Sequence, residues 1–442
     1  MMMIKQKKKL ISPITNESAD SKSKKPPNNG RILYKGIGIL GFLMILFILW
    51  GCNAYAPANK TNISASYNPK QSKLHPQVAL FHQSKDSTIL LIKQARKELK
   101  YDEEFTAKLQ LQLDILENYE SAEVIDSLSF IIYDTLDGTK GNYLNIKKQF
   151  RLLSGSDYVI KLVFKDLQQD VLYTAYHYTK KDNAYERDFF WVEDSKGDFR
   201  YSPIIKPKDS IKIHYKYAGK LFVRYFDKTY NTPRPPYLNQ KRGNTFFTTD
   251  SLFVLPISKG KTKLMAFSKP GIYHIQADTT TSQGLTVKIF DPPYPEVKSP
   301  GDLIPPLKYI AQEREYEALK QSSEPKNAVD KFWLNISGNP ARAKQLIRNY
   351  YSRVEQANSL FYTHKPGWQT ERGMVYIVIG PPRLVYRSNN GETWIYGESA
   401  QYNALTLNFT KVNNPFSEQD YSLDRSPSLK DEWFFHIDIW RR

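Results

Sequence analysis

The chain has 442 residues, a formal net charge of +18 and a single cysteine, Cys52. That length holds about three domains of ordinary size, so burying proper cores is no difficulty. The lone cysteine excludes any intramolecular disulfide. Aromatic residues make up 14% of the chain, mostly Tyr and Phe, which favours half-buried sheet surfaces over long helices.

Residues 1–35 carry nine Lys and Arg against Glu17 and Asp20, a net +7 that leaves +11 for the rest of the chain. This basic leader runs into fourteen uncharged residues, Ile37 to Trp50, and then Gly51-Cys52. A bilayer span wants about 20 apolar residues and a signal-peptide core roughly 7 to 15, so the length favours a signal. Leu49-Trp50-Gly51-Cys52 resembles a lipobox, in which the cysteine is lipidated and becomes the new N-terminus. The expectation is a leader and lipoprotein signal over 1–52 with Cys52 as the lipidation site. The alternative is an uncleaved inner-membrane anchor running from Gly36 to Ala54.

Some envelope lipoproteins are exported to the cell surface by an acidic stretch after the cysteine, but Asn53 to Lys60 holds no acid. The mature protein is therefore expected on the periplasmic face of the outer membrane. Residues 53–75, rich in Asn, Ser, Ala, Lys and Pro without periodicity, read as a flexible tether.

From His75 onward apolar and polar residues alternate. Ala107, Leu109, Leu111, Leu113 and Ile115 are separated by Lys108, Gln110, Gln112 and Asp114, which turns one row inward and one to water. Similar segments at 88–92, 128–133, 143–150, 158–164 and 171–178 predict a β-sandwich over 76–185. A second series, at 211–217, 221–226, 251–255, 263–267, 272–277 and 285–290, predicts another sandwich of immunoglobulin type over 186–295. Within it Thr232 to Tyr237, with three prolines, reads as a stiff exposed loop and a contact surface. Tyr173, Tyr176, Tyr178, Phe189, Phe190 and Trp191 offer either a sugar-stacking platform or, more commonly, cross-strand packing.

Pro- and Gly-rich linkers at 291–301 end the β region. Tyr309 to Lys320 and Ala328 to Leu334 read as helices, and Asn339-Pro340 supplies a cap and first-turn proline for a longer one. On that helix Leu346, Tyr350, Val354, Ala357 and Phe361 share one face. Pro366-Gly367-Trp368-Gln369-Thr370-Glu371-Arg372-Gly373 then leads into Met374 to Ile379, read as a buried strand that Gly373 lets the chain enter sharply and that Gly380-Pro381-Pro382 ends. Further strands are expected at 391–396 and 405–409, with a closing strand at 433–440.

This last block resembles the GWxTD domain family, whose signature is Gly-Trp-x-Thr-Asp-Arg-Gly before an apolar strand and a Gly-x-Pro turn. Glu371 stands where the family has Asp. The resemblance covers roughly 300–442, with Phe332-Trp333, Tyr350 to Val354 and Ala357-Asn358 as its earlier landmarks. It implies a Gram-negative envelope lipoprotein and no established activity. The fold expected is mainly β with an α+β C-terminal part: two β-sandwich domains, then a mixed helix and antiparallel-sheet GWxTD-like domain over 296–442.

The signature residues Gly367, Trp368, Thr370, Glu371, Arg372 and Gly373 are the candidate binding site. Each has a plainer reading: Trp368 as a core plug, Thr370 as a turn cap, and Glu371 and Arg372 as partners of groups across the sheet or of Arg353 and Glu355. Glu in place of Asp displaces a carboxylate by about one carbon–carbon bond, which weakens a catalytic role. Gly36 to Gly41 fits a dinucleotide pattern but lies in the membrane-directed segment, and Ser258-Lys259-Gly260-Lys261 reads as an exposed hairpin turn. No two of the seven histidines have the His-x-x-x-His spacing, so no metal, cofactor or catalytic residue is expected.

The function expected is that of a non-enzymatic, membrane-anchored envelope lipoprotein serving as a structural or protein-interaction component of a secretion or outer-membrane assembly. The alternative is a cell-wall or envelope glycan-binding protein or glycan-acting enzyme. Expected partners are the membrane through lipid on Cys52, an envelope protein, and an anionic glycan or lipid A attracted by the basic excess, but no nucleic acid.

Overall fold

Alternating sequence becomes paired sheet in the first β region. The computed structural model describes residues 58–69, 71–137, 141–227, 230–239, 247–397 and 404–442, so Cys52 and the signal lie outside the described residues. The strands are β1 (Gln77–His82), β2 (Ser87–Ala95), β3 (Thr106–Leu116), β4 (Asp126–Thr135), β5 (Tyr143–Arg151), β6 (Asp157–Asp166) and β7 (Val171–Lys180). They form two antiparallel sheets, β1-β2-β5 and β4-β3-β6-β7. Ala107, Leu109, Leu111, Leu113 and Ile115 of β3 all point into one core with Ile92, Ile146, Ile160 and Phe164.

The second β region repeats the plan with β8 (Trp191–Asp194), β9 (Ser210–His214), β10 (Lys220–Phe226), β11 (Ser251–Pro256), β12 (Met265–Ala266), β13 (Gly271–Gln276) and β14 (Leu285–Ile289). Its sheets are β12-β9-β8 and β11-β10-β13-β14, closed over Ile211, Ile213, Val223, Ile275 and Val287. Ser258 and Lys261 bridge across Lys259 and Gly260, both at positive φ, as a tight hairpin turn requires.

The six aromatic residues read as a possible platform are dispersed. Phe189 packs edge-on against His82 and Trp191 against Phe81, joining the two sandwiches, while Phe190 stacks on Tyr215 in the second core. Tyr173 lies against the first core, Tyr176 faces Tyr119, and the Tyr178 hydroxyl donates to Asp157. Cross-strand and interdomain packing consumes these rings, so they present no shared stacking face.

The C-terminal part is α+β. Its helices are α1 (Pro300–Leu303), α2 (Glu313–Gln321), α3 (Pro325–Ser337), α4 (Pro340–Leu360), α5 (Glu371–Val378) and α6 (Lys430–Arg441). Its sheet runs β15 (Leu384–Arg387), β16 (Gly391–Tyr396), β17 (Leu405–Lys411), β18 (Tyr421–Leu423), all antiparallel neighbours. The Asn339 side chain accepts from the Arg342 amide at the start of α4, and Tyr350, Val354, Ala357 and Phe361 are buried along its length or just beyond it.

Two segments expected as strands are helices. Met374 to Val378 lies in α5, where every residue from Arg372 to Val378 is buried. Enclosure on all sides removes the face alternation that distinguishes strand from helix, and the Thr370 cap settles the backbone as helical. Residues 433–440 lie in α6, where Trp433 and Trp440, seven apart, bury on one face.

The expected tether is corrected as well. Residues 58–67 form two single-turn helices that run as a strap between the first sandwich and the C-terminal part. The Asn59 amide donates to the Tyr119 carbonyl at 2.8 Å and the Ile63 amide to the Val385 carbonyl at 2.9 Å. Ile63, Tyr67 and Leu74 are buried. The polar composition hid these three anchors.

The proline loop is not free either. Arg425 donates to the carbonyls of Arg234 and Pro235, and the Tyr237 ring lies 5.5 Å from that of Phe434. Its prolines leave backbone carbonyls without ladder partners, and an arginine of the C-terminal part collects them.

Candidate functional site

The signature is a close-packed corner. Gly367 abuts the end of α4: a Cβ there would stand 1.9 Å from the Ala357 carbonyl oxygen. Gly373, in the first turn of α5, sits equally close to the Gly367 carbonyl, at 1.9 Å. Both glycines are needed for the approach of backbone to backbone, which no side chain permits.

Thr370 is the N-cap of α5. Its hydroxyl accepts from the Gly373 amide at 3.0 Å and donates to the Gly367 carbonyl at 2.8 Å, tying the corner on both sides. Trp368 is half-buried, so it is no core plug. Its amide donates to the Asn358 side chain at 3.0 Å and its carbonyl accepts from the Tyr309 hydroxyl at 2.7 Å.

Glu371 and Arg372 take different partners from those expected. The Glu371 carboxylate accepts from the Leu423 amide and pairs with Arg425 at 3.1 Å, fixing the segment after β18. Arg353, one partner considered for them, instead donates to the carbonyls that end α5. Arg372 is 2% exposed and reaches the centre of the domain.

There it meets Glu392 at 3.2 Å, donates to the Gln419 carbonyl at 2.8 Å, and lays its guanidinium 4.2 Å from the Tyr421 ring centre. Arg387 pairs with the same carboxylate at 2.7 Å, the Trp394 indole donates to it at 3.0 Å, and the Tyr67 hydroxyl donates at 2.7 Å. Two arginines and two neutral donors hold the Glu392 carboxyl down at about 2, against the opposing pull of its own burial. A buried carboxylate survives only with such full pairing. Burial pushes the Tyr67 phenol far above its ordinary range, so it acts as a neutral hydrogen-bond donor.

Sequence reasoning missed Tyr67, Arg387 and Glu392. One signal was present: Glu392 and Trp394 share the parity of β16, so a carboxylate on the same face as the tryptophan faces inward.

Beside the corner, a cleft of about 570 Å³ opens between the second sandwich and the C-terminal part, with Tyr230, Tyr294, His364, Trp368 and Gln369 in its wall. Four carboxylates line it, Asp227, Asp291, Glu296 and Asp302, and among the described residues no Lys or Arg does. The buried Tyr230 hydroxyl has no hydrogen-bond partner among the described residues.

Residues 271–442 match the model of the GWxTD domain. The C-terminal part of this chain is a GWxTD domain. The match begins at Gly271, earlier than the expected boundary at 296, and so takes in β13 and β14. Their inclusion has a packing basis: Ile272 and Phe226 of the second sandwich form one cluster with Phe416 of the GWxTD sheet region.

Among solved structures, red sea bream transglutaminase is similar at 9% identity and TM-score 0.18, over 50% of this chain and 33% of that one. That superposition is too poor to define a shared fold, and this chain spans about a third of the transglutaminase. No curated protein matches the sequence.

Among the described residues, no group of His, Cys, Asp and Glu is placed to hold a metal ion. In the GWxTD corner the Thr370 hydroxyl is a cap, the Glu371 carboxylate is paired and the Arg372 guanidinium is enclosed.

Proposed function

We propose that the protein is a non-enzymatic, lipid-anchored component of a cell-envelope assembly, with Cys52 as the acylated residue and the folded body docking onto an envelope protein. One observation carries the non-enzymatic part. The three side chains of the GWxTD signature best suited to chemistry are engaged inside the fold, Thr370 as a cap, Glu371 on Leu423 and Arg425, and Arg372 on Glu392, which leaves none of the three free to act on a substrate. The anchor rests on the apolar stretch and Leu49-Trp50-Gly51-Cys52. No helix among the described residues is long and apolar enough to cross a membrane. The site of residence proposed is the periplasmic face of the outer membrane, where the basic excess attracts lipid A or acidic glycan.

Metabolic labelling with palmitate tests the anchor: label should enter the wild type and be lost in Cys52→Ser. Unlabelled protein that retains its first 51 residues would refute it. Crosslinking in cells followed by mass spectrometry tests the docking role, and a stoichiometric envelope protein is the expected result.

A second reading, glycan binding, is favoured by the cleft, whose wall holds both the half-buried Trp368 and Tyr230, a residue whose hydroxyl has no partner among the described residues. Two of the four carboxylates in its wall are matched by lysines, Asp227 by Lys269 and Glu296 by Lys298, while Asp291 and Asp302 keep it mildly acidic, which suits a neutral glycan better than an anionic one. Binding to purified neutral glycan that is lost in Trp368→Ala would support this reading.

A further inference from the structure

Helix α6 is used on one side and bare on the other. Trp433 and Trp440 bury against the domain, with the Trp440 indole donating to the Val378 carbonyl at 2.9 Å and its ring 5.1 Å from Tyr350. On the outward side Phe435 is 58% and Ile439 54% exposed, and Leu334 of the neighbouring α3 adds a further exposed apolar group. Glu432 lies three residues before Phe435 and Arg442 three after Ile439. At about 100° per residue, with the turn carried on through the C-cap residue Arg442, which pairs with Asp438 four positions back, these four positions fall within about 80° of arc, one continuous stripe.

The stripe is self-complementary in one arrangement. Two antiparallel copies related by a two-fold axis, with Phe435 against the partner's Ile439, place Glu432 against the partner's Arg442 by the same register. His436 then faces the partner's Asp438, so no like charges meet. A parallel pairing would set Glu432 against the partner's Glu432. Sliding the antiparallel pair by one turn would bring Glu432 against the partner's Asp438. Arg442 is available for the exchange, since among the described residues it pairs with Asp438 alone, four residues earlier on the exposed surface at 3.1 Å. Arg441, by contrast, is held bidentately by Glu315 and lies off the stripe.

We infer that α6 is a homodimerisation surface on which a second copy of this chain docks antiparallel about a two-fold axis, Phe435 and Ile439 covering each other and Glu432 pairing with the partner's Arg442. The interface is isologous, as closed two-fold assembly requires. It is small, so association is reversible and concentration-dependent.

Sedimentation equilibrium of the full chain in density-matched detergent, over a concentration series, tests this. Wild type should follow a monomer–dimer equilibrium, and Phe435→Ser with Ile439→Ser should abolish it without changing the circular dichroism. Glu432→Arg should weaken association about tenfold through two lost pairs and two new repulsions. Adding Arg442→Glu to Glu432→Arg reverses both signs and should restore association to within about threefold. Wild type that stays monomeric throughout, a dimer that survives the loss of both apolar groups, or a double exchange that fails to rescue would each overturn the inference.

Discussion

The Tyr67 hydroxyl donates a 2.7 Å hydrogen bond to Glu392, 325 residues further along the chain. It also accepts from Arg387 at 2.6 Å and from Arg372 at 3.3 Å, so a residue of the N-terminal strap completes the charged centre of the GWxTD domain. Phe361 and Trp394 pack around its ring at 5.2 and 5.5 Å.

Tyr67→Phe keeps the ring and removes the hydroxyl, leaving a buried carboxylate and two arginines each one partner short. It should cost about 1–3 kcal/mol. Tyr67→Ala, which also opens a cavity beside Phe361 and Trp394, should cost about 3–5 kcal/mol. Urea denaturation monitored by tryptophan fluorescence measures both, and equal stability of wild type and Tyr67→Phe would show that the hydroxyl is dispensable.

Gly367→Ala and Gly373→Ala each drive a methyl group into a carbonyl oxygen 1.9 Å away. Relief requires moving the signature corner off α4, at about 3 kcal/mol or more per substitution. Limited proteolysis should then cut the GWxTD domain while sparing the first sandwich.

Glu371→Asp installs the family's residue and should not improve this protein. The shorter side chain cannot hold both the Leu423 amide and Arg425, and losing either costs about 1–2 kcal/mol. Thermal unfolding of Glu371→Asp beside Glu371→Gln resolves the two contacts.

Acid should destabilise the fold well above the carboxylate range. His274 is 2% exposed, its ring nitrogens bonded to the Thr286 hydroxyl at 2.9 Å and the Ser282 carbonyl at 3.1 Å. Burial pushes it down to about 4. His82 is buried beside Thr88 and Thr179 and is lowered for the same reason. Their contribution is fully present above about pH 6.5, where the unfolded chain is also neutral. It is lost as pH falls from there, because the unfolded chain takes up protons that the native rings refuse. For His274 this amounts to about 2 kcal/mol at pH 5. His274→Gln should flatten that part of a stability–pH profile, and an unchanged slope would contradict the assignment.

Much of the architecture was legible because half-buried sheets write their faces into the sequence. The alternating row of β3 and the cap at Asn339 appear where they were expected. Segments without that contrast were misread: Met374 to Val378, buried on every side, has no periodicity to reveal its helix. The candidate site was legible only in part. Thr370 stands as a cap, as anticipated, but the partners of Arg372 come from β16, from Gln419 and Tyr421 at the start of β18, and from a stretch whose polar letters concealed Tyr67. Long-range pairing of this kind leaves little local trace: the parity of Trp394 marks Glu392 as inward-facing, but nothing near either residue in sequence names Tyr67 as its partner.

The strap carries a mechanical consequence. Stitched to Tyr119 on one side and Val385 on the other, the strap itself ties the two parts of the body together from Asn59 onward. A pull arriving from the N-terminal side of Ala58 would load the first sandwich and the GWxTD sheet together, through these two backbone hydrogen bonds. Within the described residues that load runs along the strap to Tyr67 and from its hydroxyl into the charged centre at Glu392.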